Sequence, residues 1–297
     1  MAQYEHHIVL ERMLAELSGV SRASQNTIDA YNRDLNEFIR FCNDQEIGYI
    51  HKISEKTIRG FVRNLSENGL SKSSISRKLS SLRRLFNFAI RHSLIDNNPI
   101  SKIPNPKVTR SLPETINVDS YLEIFSLVDK ENDFKNSIRI KSIFELLYGS
   151  ALRVSELCHL NISDIDFKNQ SLRVSGKGSK VRIVPIGSKS AKILSEYIKS
   201  IEGISPSRPL FTYSDNSRIT RHHIYQIVKH YLKDQKIDKK SPHILRHSAA
   251  THMLDGEADL MAVKEILGHE NLSTTQIYTH VSIERLKKSY KKAHPKS

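Results

Sequence analysis

Cysteine is nearly missing from this chain: Cys42 and Cys158 stand alone and far apart. Two such thiols form neither a disulfide framework nor a thiolate metal site, and they suit a reducing compartment. Long apolar runs are missing as well. No stretch of 18 or more apolar residues occurs, and Met1-Ala2-Gln3-Tyr4-Glu5 leads straight into a charged amphipathic stretch. Neither a membrane span nor an export signal is expected, and the expected location is cytoplasmic. Acidic residues are in short supply. With 32 Asp and Glu against 46 Lys and Arg, the formal charge is +14 and the pI near 9.6. Such an excess points to a polyanionic partner, although a basic soluble protein without one would look the same by composition.

What is present suffices for two domains, since 297 residues at 38% apolar content can fill two separate cores. Residues 1–102 hold 15 basic and 11 acidic side chains, a net of about +4, which leaves about +10 for the remainder. Excess charge on both halves fits a partner held between two domains better than one bound by a basic tail.

Apolar residues recur at helical spacing over Glu5 to Leu17, Gln25 to Asn43, Glu55 to Leu65 and Lys72 to His92. Ile28, Tyr31, Leu35, Phe38 and Ile39 share one face of the second stretch; Ile75, Leu79, Leu82, Phe86 and Ala89 share one of the fourth. Residues 1–102 thus read as a domain of four or five helices. On the fourth helix, Lys72, Arg77, Lys78, Arg83 and Arg84 are candidates for tracking DNA phosphates, the alternative being an ordinary solvated face. Pro99, Pro104, Pro106 and Pro113 then interrupt helical pattern, which places a semi-rigid linker at 103–113 and a second domain at 114–297.

Helical patterns near 118–129 and 134–148 open the second domain, the latter ending at Gly149 as a left-handed cap. A further helix starts around Arg153. Beyond Asn161 the period shortens: Ile165 to Phe167, Ser171 to Val174 and Val181 to Pro185 predict a three-stranded antiparallel meander with turns at Lys168-Asn169 and Gly176 to Ser179. Helices are predicted again near 188–201, 220–236, 242–254, 259–267, 273–280 and 282–292. The expected class is mainly α with a small antiparallel sheet (α+β).

Five places in this domain carry chemistry only when taken together. Arg153 follows a glycine break and opens a helix, from which its fork can enter a cleft; alternatively it pairs on the surface with Glu156. Lys177 sits at a Gly-Lys-Gly hairpin tip, unobstructed and mobile. His243 and Arg246, three apart after Pro242, share a helix face. Gly268-His269 closes the 259–267 helix, where a histidine can simply face the C-terminal dipole. Tyr278 follows nine residues later, and a lone helical tyrosine is ordinarily core.

The joint pattern Arg153, Lys177, His243-x-x-Arg246, Gly268-His269 and Tyr278 resembles the tyrosine recombinase (phage integrase) family. Leu152 to Leu157, Gly176 to Lys180, Ser241 to His247, Leu267 to His269 and Leu272 to His280 look most like the bacterial Xer recombinases (XerC/XerD-like). Asn26 to Leu35 is similar to their N-terminal core-binding, SAM-like domain, so the resemblance spans essentially the whole chain. With the first helix beginning near residue 1, no arm-binding domain of the phage type is expected. Ala151 departs from a common glycine, and Asp255-Gly256-Glu257 departs in order from the frequent Glu-Asn-Gly.

The resemblance implies a site-specific recombinase in which Tyr278 attacks a phosphate, expels a 5′-hydroxyl and forms a 3′-phosphotyrosine link. Arg153 and Arg246 would clamp the phosphate with bidentate, permanently charged contacts. His243 would act as acid/base, Lys177 as general acid for the 5′-oxygen, and His269 would donate to a phosphate oxygen. Free tyrosine titrates near pH 10, so only about a thousandth is ionised at neutral pH and such help is needed. Because the link conserves the phosphodiester's energy, no ATP is required, and with the arginines supplying positive charge no metal or other cofactor is implied.

Implied partners are double-stranded DNA carrying a short imperfect palindromic site, a homo- or hetero-tetramer on two such sites, and an FtsK-like DNA translocase for chromosome or plasmid dimer resolution. Ile283, Leu286 and Tyr290 form an apolar stripe that suits docking on a neighbouring protomer, or packing within the chain. Mobile-element integration is the alternative within this chemistry; a type IB topoisomerase and a non-catalytic DNA-binding protein are alternatives outside it. A zinc reading would use His243, His247 and His252, or His222 and His223, but neither a cysteine ligand nor a His-Glu-x-x-His pattern accompanies them.

Overall fold

The computed structural model describes residues 4–20, 23–107, 114–176, 181–201, 203, 205–268 and 289–295. Lys177, His269, Tyr278, Ile283 and Leu286, together with most of the helices expected at 273–280 and 282–292, lie outside the described residues. Contacts divide the chain into two compact units, Met1–Ser111 and Leu112–Ser297. Among the described residues, no helix is long and apolar enough to cross a membrane.

The first unit holds helices α1 (His6–Gly19), α2 (Gln25–Asn43), α3 (Glu55–Glu67) and α4 (Lys72–Arg91). Each of the last three starts at a serine whose hydroxyl accepts a backbone N–H two or three residues into the first turn: Ser24 from Thr27, Ser54 from Thr57 and Ser71 from Ser74. Their apolar faces meet around Phe38, which makes edge contacts to Phe61 and Phe86 at 5.1 and 6.5 Å between ring centroids. Ile100 and Ile103 complete this core, and Arg83 donates to the Ile103 carbonyl at 2.7 Å. The first unit therefore extends past the point where the prolines suggest a linker. Pro104 and Pro106 break the helical pattern, yet one apolar side chain before them is already buried.

In the second unit α5 (Val118–Val128) and α6 (Phe134–Phe144) are capped by Asn117 and Asp133, and α6 runs into a π turn at Glu145–Gly149. α7 (Val154–His159) precedes the meander of β1 (Ile165–Asp166), β2 (Ser171–Ser175) and β3 (Val181–Pro185). Both pairings are antiparallel in the order β1-β2-β3, with Leu172 opposite Val184 and Val174 opposite Arg182. Helices α8 (Ser188–Lys199), α9 (Arg221–Tyr231), α10 (Pro242–Asp255) and α11 (Leu260–Leu267) follow.

The C-terminal segment packs on this same unit. Tyr290, fully buried, donates to the Gly149 carbonyl at 2.9 Å and stacks on His294. Ala293 lies so close to Gly256 that a Cβ there would meet its carbonyl oxygen at 2.5 Å. Of the apolar stripe expected to dock on a neighbour, Tyr290 is thus seated within its own chain.

One expectation about the backbone needs correcting. Gly149 is not the left-handed cap; Ala151 is, at φ 49°. The helix continues through the π turn to Gly149, so the reversal falls beyond it at Ala151, and the Leu152 N–H closes back on the Leu146 carbonyl at 3.0 Å. A glycine would take this left-handed conformation without the Cβ strain that Ala151 bears. Ala151→Gly would relieve roughly 1 kcal/mol of left-handed strain and give up one buried methyl worth about 0.8 kcal/mol. The two nearly cancel, so the thermal unfolding midpoint is expected to stay within about 3 °C of the parent.

Candidate active site

The turn at Ala151 leaves Arg153 extended at the start of α7, where its backbone N–H donates to Glu156 Oε2 at 2.7 Å. Its guanidinium donates through Nη1 to Glu156 Oε1 at 2.7 Å and through Nη2 to the Gly268 carbonyl at 3.0 Å. The surface pair anticipated between Arg153 and Glu156 therefore exists, but it is no surface pair. Glu156 has only 3% of its side chain exposed, whereas Arg153 keeps 35%.

Arg246 enters from α10, whose first turn is opened by Pro242. It donates to the carbonyls of Ala151 and Leu267 and lies 3.7 Å from Glu156 Oε2. Burial, with Arg153 beside it, pulls the Arg246 guanidinium down to about 10, which leaves it charged at neutral pH. A third arginine, Arg182 on β3, takes both oxygens of Glu156 at 2.7 and 2.9 Å. Burial by itself would push the Glu156 carboxyl up; the hydrogen bonds and charge of Arg182, with the bonds from Arg153, overcome this and hold it below the usual carboxylate range.

The end of α11 completes the arrangement. A helix leaves its last carbonyls without intrahelical partners, and here those of Ile266, Leu267 and Gly268 accept from Arg182, Arg246 and Arg153 respectively. Gly268 adopts the left-handed conformation at φ 62° and directly precedes His269. Three guanidinium groups around one carboxylate leave a net charge of +2. Arg153 and Arg246 each use two of their five N–H donors in the bonds named, so both retain donors for an oxyanion.

His243 is exposed at the start of α10 and lines, with Arg153, a cleft of about 410 Å³. The remaining walls include Arg221, His222 and Tyr225 of α9, with the Tyr225 and His243 rings 6.2 Å apart. Arg153, His243 and Arg246 are thus brought together; Lys177, His269 and Tyr278 lie outside the described residues. The histidines of the zinc reading do not converge. His247 is exposed, His252 accepts or donates at Nδ1 to the Tyr148 hydroxyl at 2.7 Å away from the cleft, and burial lowers its pKa.

On α4 the expected phosphate-tracking set divides. Lys72 and Arg77 are exposed, Arg77 paired with Asp34, and Arg83 and Arg84 are half-buried. Lys78 is the correction: it is 6% exposed and bonded to Glu37 at 2.6 Å, with Asp34 at 3.5 Å. It lies three residues after Ile75 and beside Leu79, on the margin of the apolar stripe, where a cation is tolerated only with carboxylates beside it.

Sequence reasoning missed Glu156 as more than a pairing partner, weighed His222 only as a zinc ligand, and missed Arg182, Arg221 and Tyr225. A signal for Arg182 was present. With Leu172 and Val174 facing inward, antiparallel pairing turns Arg182 toward the core, where a strand ordinarily carries an apolar residue.

Comparison with known proteins accords with this geometry. The model described as "Phage integrase family" matches residues 115–285, and that described as "Phage integrase, N-terminal SAM-like domain" matches residues 10–93. Tyrosine recombinase XerC of Thermodesulfovibrio yellowstonii is 40% identical over 283 residues, covering 92% of each chain. Tyrosine recombinase XerD of Oceanobacillus iheyensis is 39% identical over 281 residues, 92% of this chain and 94% of its own. Among solved structures, the Tn1549 transposon integrase in complex with circular intermediate DNA shares the fold at TM-score 0.70 and 21% identity, over 93% of this chain and 97% of that one. With two family domains spanning most of its length and Xer relatives matched almost end to end, the chain belongs to the phage integrase family of site-specific tyrosine recombinases.

Proposed function

We propose that the cleft lined by Arg153 and His243 receives the scissile phosphate of duplex DNA, and that Tyr278 is the nucleophile. The observation that carries this reading is the pair of guanidinium groups, Arg153 and Arg246, held by fixed carbonyls and by one buried carboxylate that Arg182 also pairs, for a net charge of +2 over the cluster. A pre-oriented dication of this kind stabilises the charge that builds on non-bridging oxygens without reorganising during the reaction. The Tyr278 phenol oxygen bonds to phosphorus as the bond to the 5′-oxygen breaks; the phenol proton leaves toward His243, and Lys177 protonates the departing oxygen. His269, directly after Gly268, donates to the same phosphate. Rejoining is the reverse attack by a 5′-hydroxyl.

Lys72, Arg77, Arg83 and Arg84 of α4 contribute phosphate contacts in the first unit. The substrate is a short, imperfectly palindromic site, bound in pairs by a homo- or hetero-tetramer, and the biological task is the resolution of chromosome or plasmid dimers in the cytoplasm under an FtsK-like translocase. Support for that task comes from the Xer relatives of both named kinds at nearly equal identity.

The test starts from duplexes selected out of a random pool by the purified protein and then nicked so that cleavage releases a short strand. A protein-DNA adduct stable to denaturant is expected without metal or nucleotide, and affinity should fall with salt at a slope of roughly −0.9 per phosphate contacted. Absence of the adduct, or a flat salt response, overturns the reading.

A further inference from the structure

We propose that Arg182 is a positioning residue of the strand-cleavage step: it neutralises Glu156, so that Arg153 and Arg246 keep their charge for the phosphate, and it ties β3 to the end of α11. The proposal rests on the assignment of this cleft as the cleavage site.

Arg182 is 6% exposed and all three of its side-chain nitrogens are engaged. Nη1 and Nη2 take the two oxygens of Glu156 at 2.7 and 2.9 Å, and Nε donates to the Ile266 carbonyl at 3.0 Å. A group so enclosed has no access to substrate, and its effect must pass through its partners. The first partner is Glu156. That carboxylate orients Arg153 through both backbone and side chain and lies 3.7 Å from Arg246. Without Arg182, its full negative charge would fall on Arg153 and Arg246, and the net charge would drop from +2 to +1. With Arg182 in place, Glu156 supplies geometry while a third cation balances its charge.

The second partner is the end of α11. A Cβ on Gly268 would press on Cδ, Nε and Cζ of Arg182 at 3.1 Å each, tight enough that the guanidinium would have to give, and the φ of 62° would strain any other side chain there. The Arg182 fork and the Gly268 turn therefore fit one another as a unit. Val181 comes four residues after Lys177 in the sequence, and Gly268 directly precedes His269. Arg182 thus fastens together the strand that leads from one proposed catalytic residue and the helix end that leads to another. Lysine would keep the charge but not the fork, so an arginine is required for three bonds in one plane.

The test compares the parent, Arg182→Met, Arg182→Lys, Glu156→Gln and the double variant Arg182→Met/Glu156→Gln on a nicked duplex that traps the adduct. Single-turnover cleavage, DNA affinity and thermal unfolding are measured for each. Cleavage by Arg182→Met is expected to fall roughly 100-fold, as for a misplaced catalytic group, with DNA affinity within about threefold of the parent. Arg182→Lys should recover part of the lost rate at an equal folded fraction, and it carries the test should Arg182→Met not fold. The double variant should cleave no more slowly than Arg182→Met, because the charge left uncompensated is gone. Parental cleavage in Arg182→Met, no gain in Arg182→Lys, multiplied losses in the double variant, or losses of cleavage and DNA affinity in parallel would each overturn the proposal. Tyr278→Phe on the same duplex is the separate control: an adduct there defeats the assignment of the site itself.

Discussion

Tyr278→Phe is expected to bind its DNA site as the parent does and to form no covalent adduct on a nicked duplex, a loss of at least about 1000-fold in cleavage rate. The change removes one oxygen atom, the one that bonds to phosphorus, and leaves the ring. It also leaves the cations of the cleft in place. The +2 charge around Glu156 belongs to Arg153, Arg182 and Arg246, which are held by that carboxylate and by backbone carbonyls. Affinity and chemistry should therefore separate cleanly. The measurement is denaturing electrophoresis of the trapped complex beside an equilibrium titration of the same duplex; an adduct in the variant would refute the nucleophile assignment.

The second large effect is expected from Glu156→Gln. Removing one partner of a buried charge network leaves the others uncompensated, which typically costs 3–5 kcal/mol, and an amide that keeps one acceptor oxygen should fall near the lower figure at about 3 kcal/mol. For a chain of this size that corresponds to a drop of roughly 6–12 °C in the unfolding midpoint. Cleavage should fall by about 100-fold, since Arg153 loses the acceptor that orients it. The pH dependence carries a further signature. The Glu156 carboxyl is held below its ordinary value of 4.5 in the folded protein, so its contribution to stability is fully present above that pH and is lost as the pH falls through its folded value. The parent should lose stability in acid more steeply than the variant, and parallel curves would show that Glu156 is not the acid-sensitive group.

Much of the fold was legible because it follows from local rules. The bounds of α2 are those its apolar spacing predicts, with Ser24 at the cap. The meander follows from the change of period after Asn161. Less legible was the end of α6. A π turn has no pattern in single-residue propensities, so Gly149 drew the cap that Ala151 provides. Lys78 shows the same limit on a helix face: a long cation at the edge of an apolar stripe can snorkel outward or pair inward, and only Asp34 and Glu37, some 40 residues away in sequence, decide it.

Sequence by itself determined the chemistry on offer: two arginines, a lysine, two histidines and a tyrosine at spacings that mark a family, together with a basic charge that selects a polyanion. Residue types and intervals along one chain carry that information directly. Tertiary structure alone decided how those arginines are held. Glu156, Arg182 and the carbonyls of Ala151, Ile266, Leu267 and Gly268 come from four places, α7, β3, the turn at Ala151 and the end of α11, and their convergence is a property of tertiary packing. A carbonyl has no sequence signature, and a buried carboxylate reads like any surface glutamate until its neighbours are known.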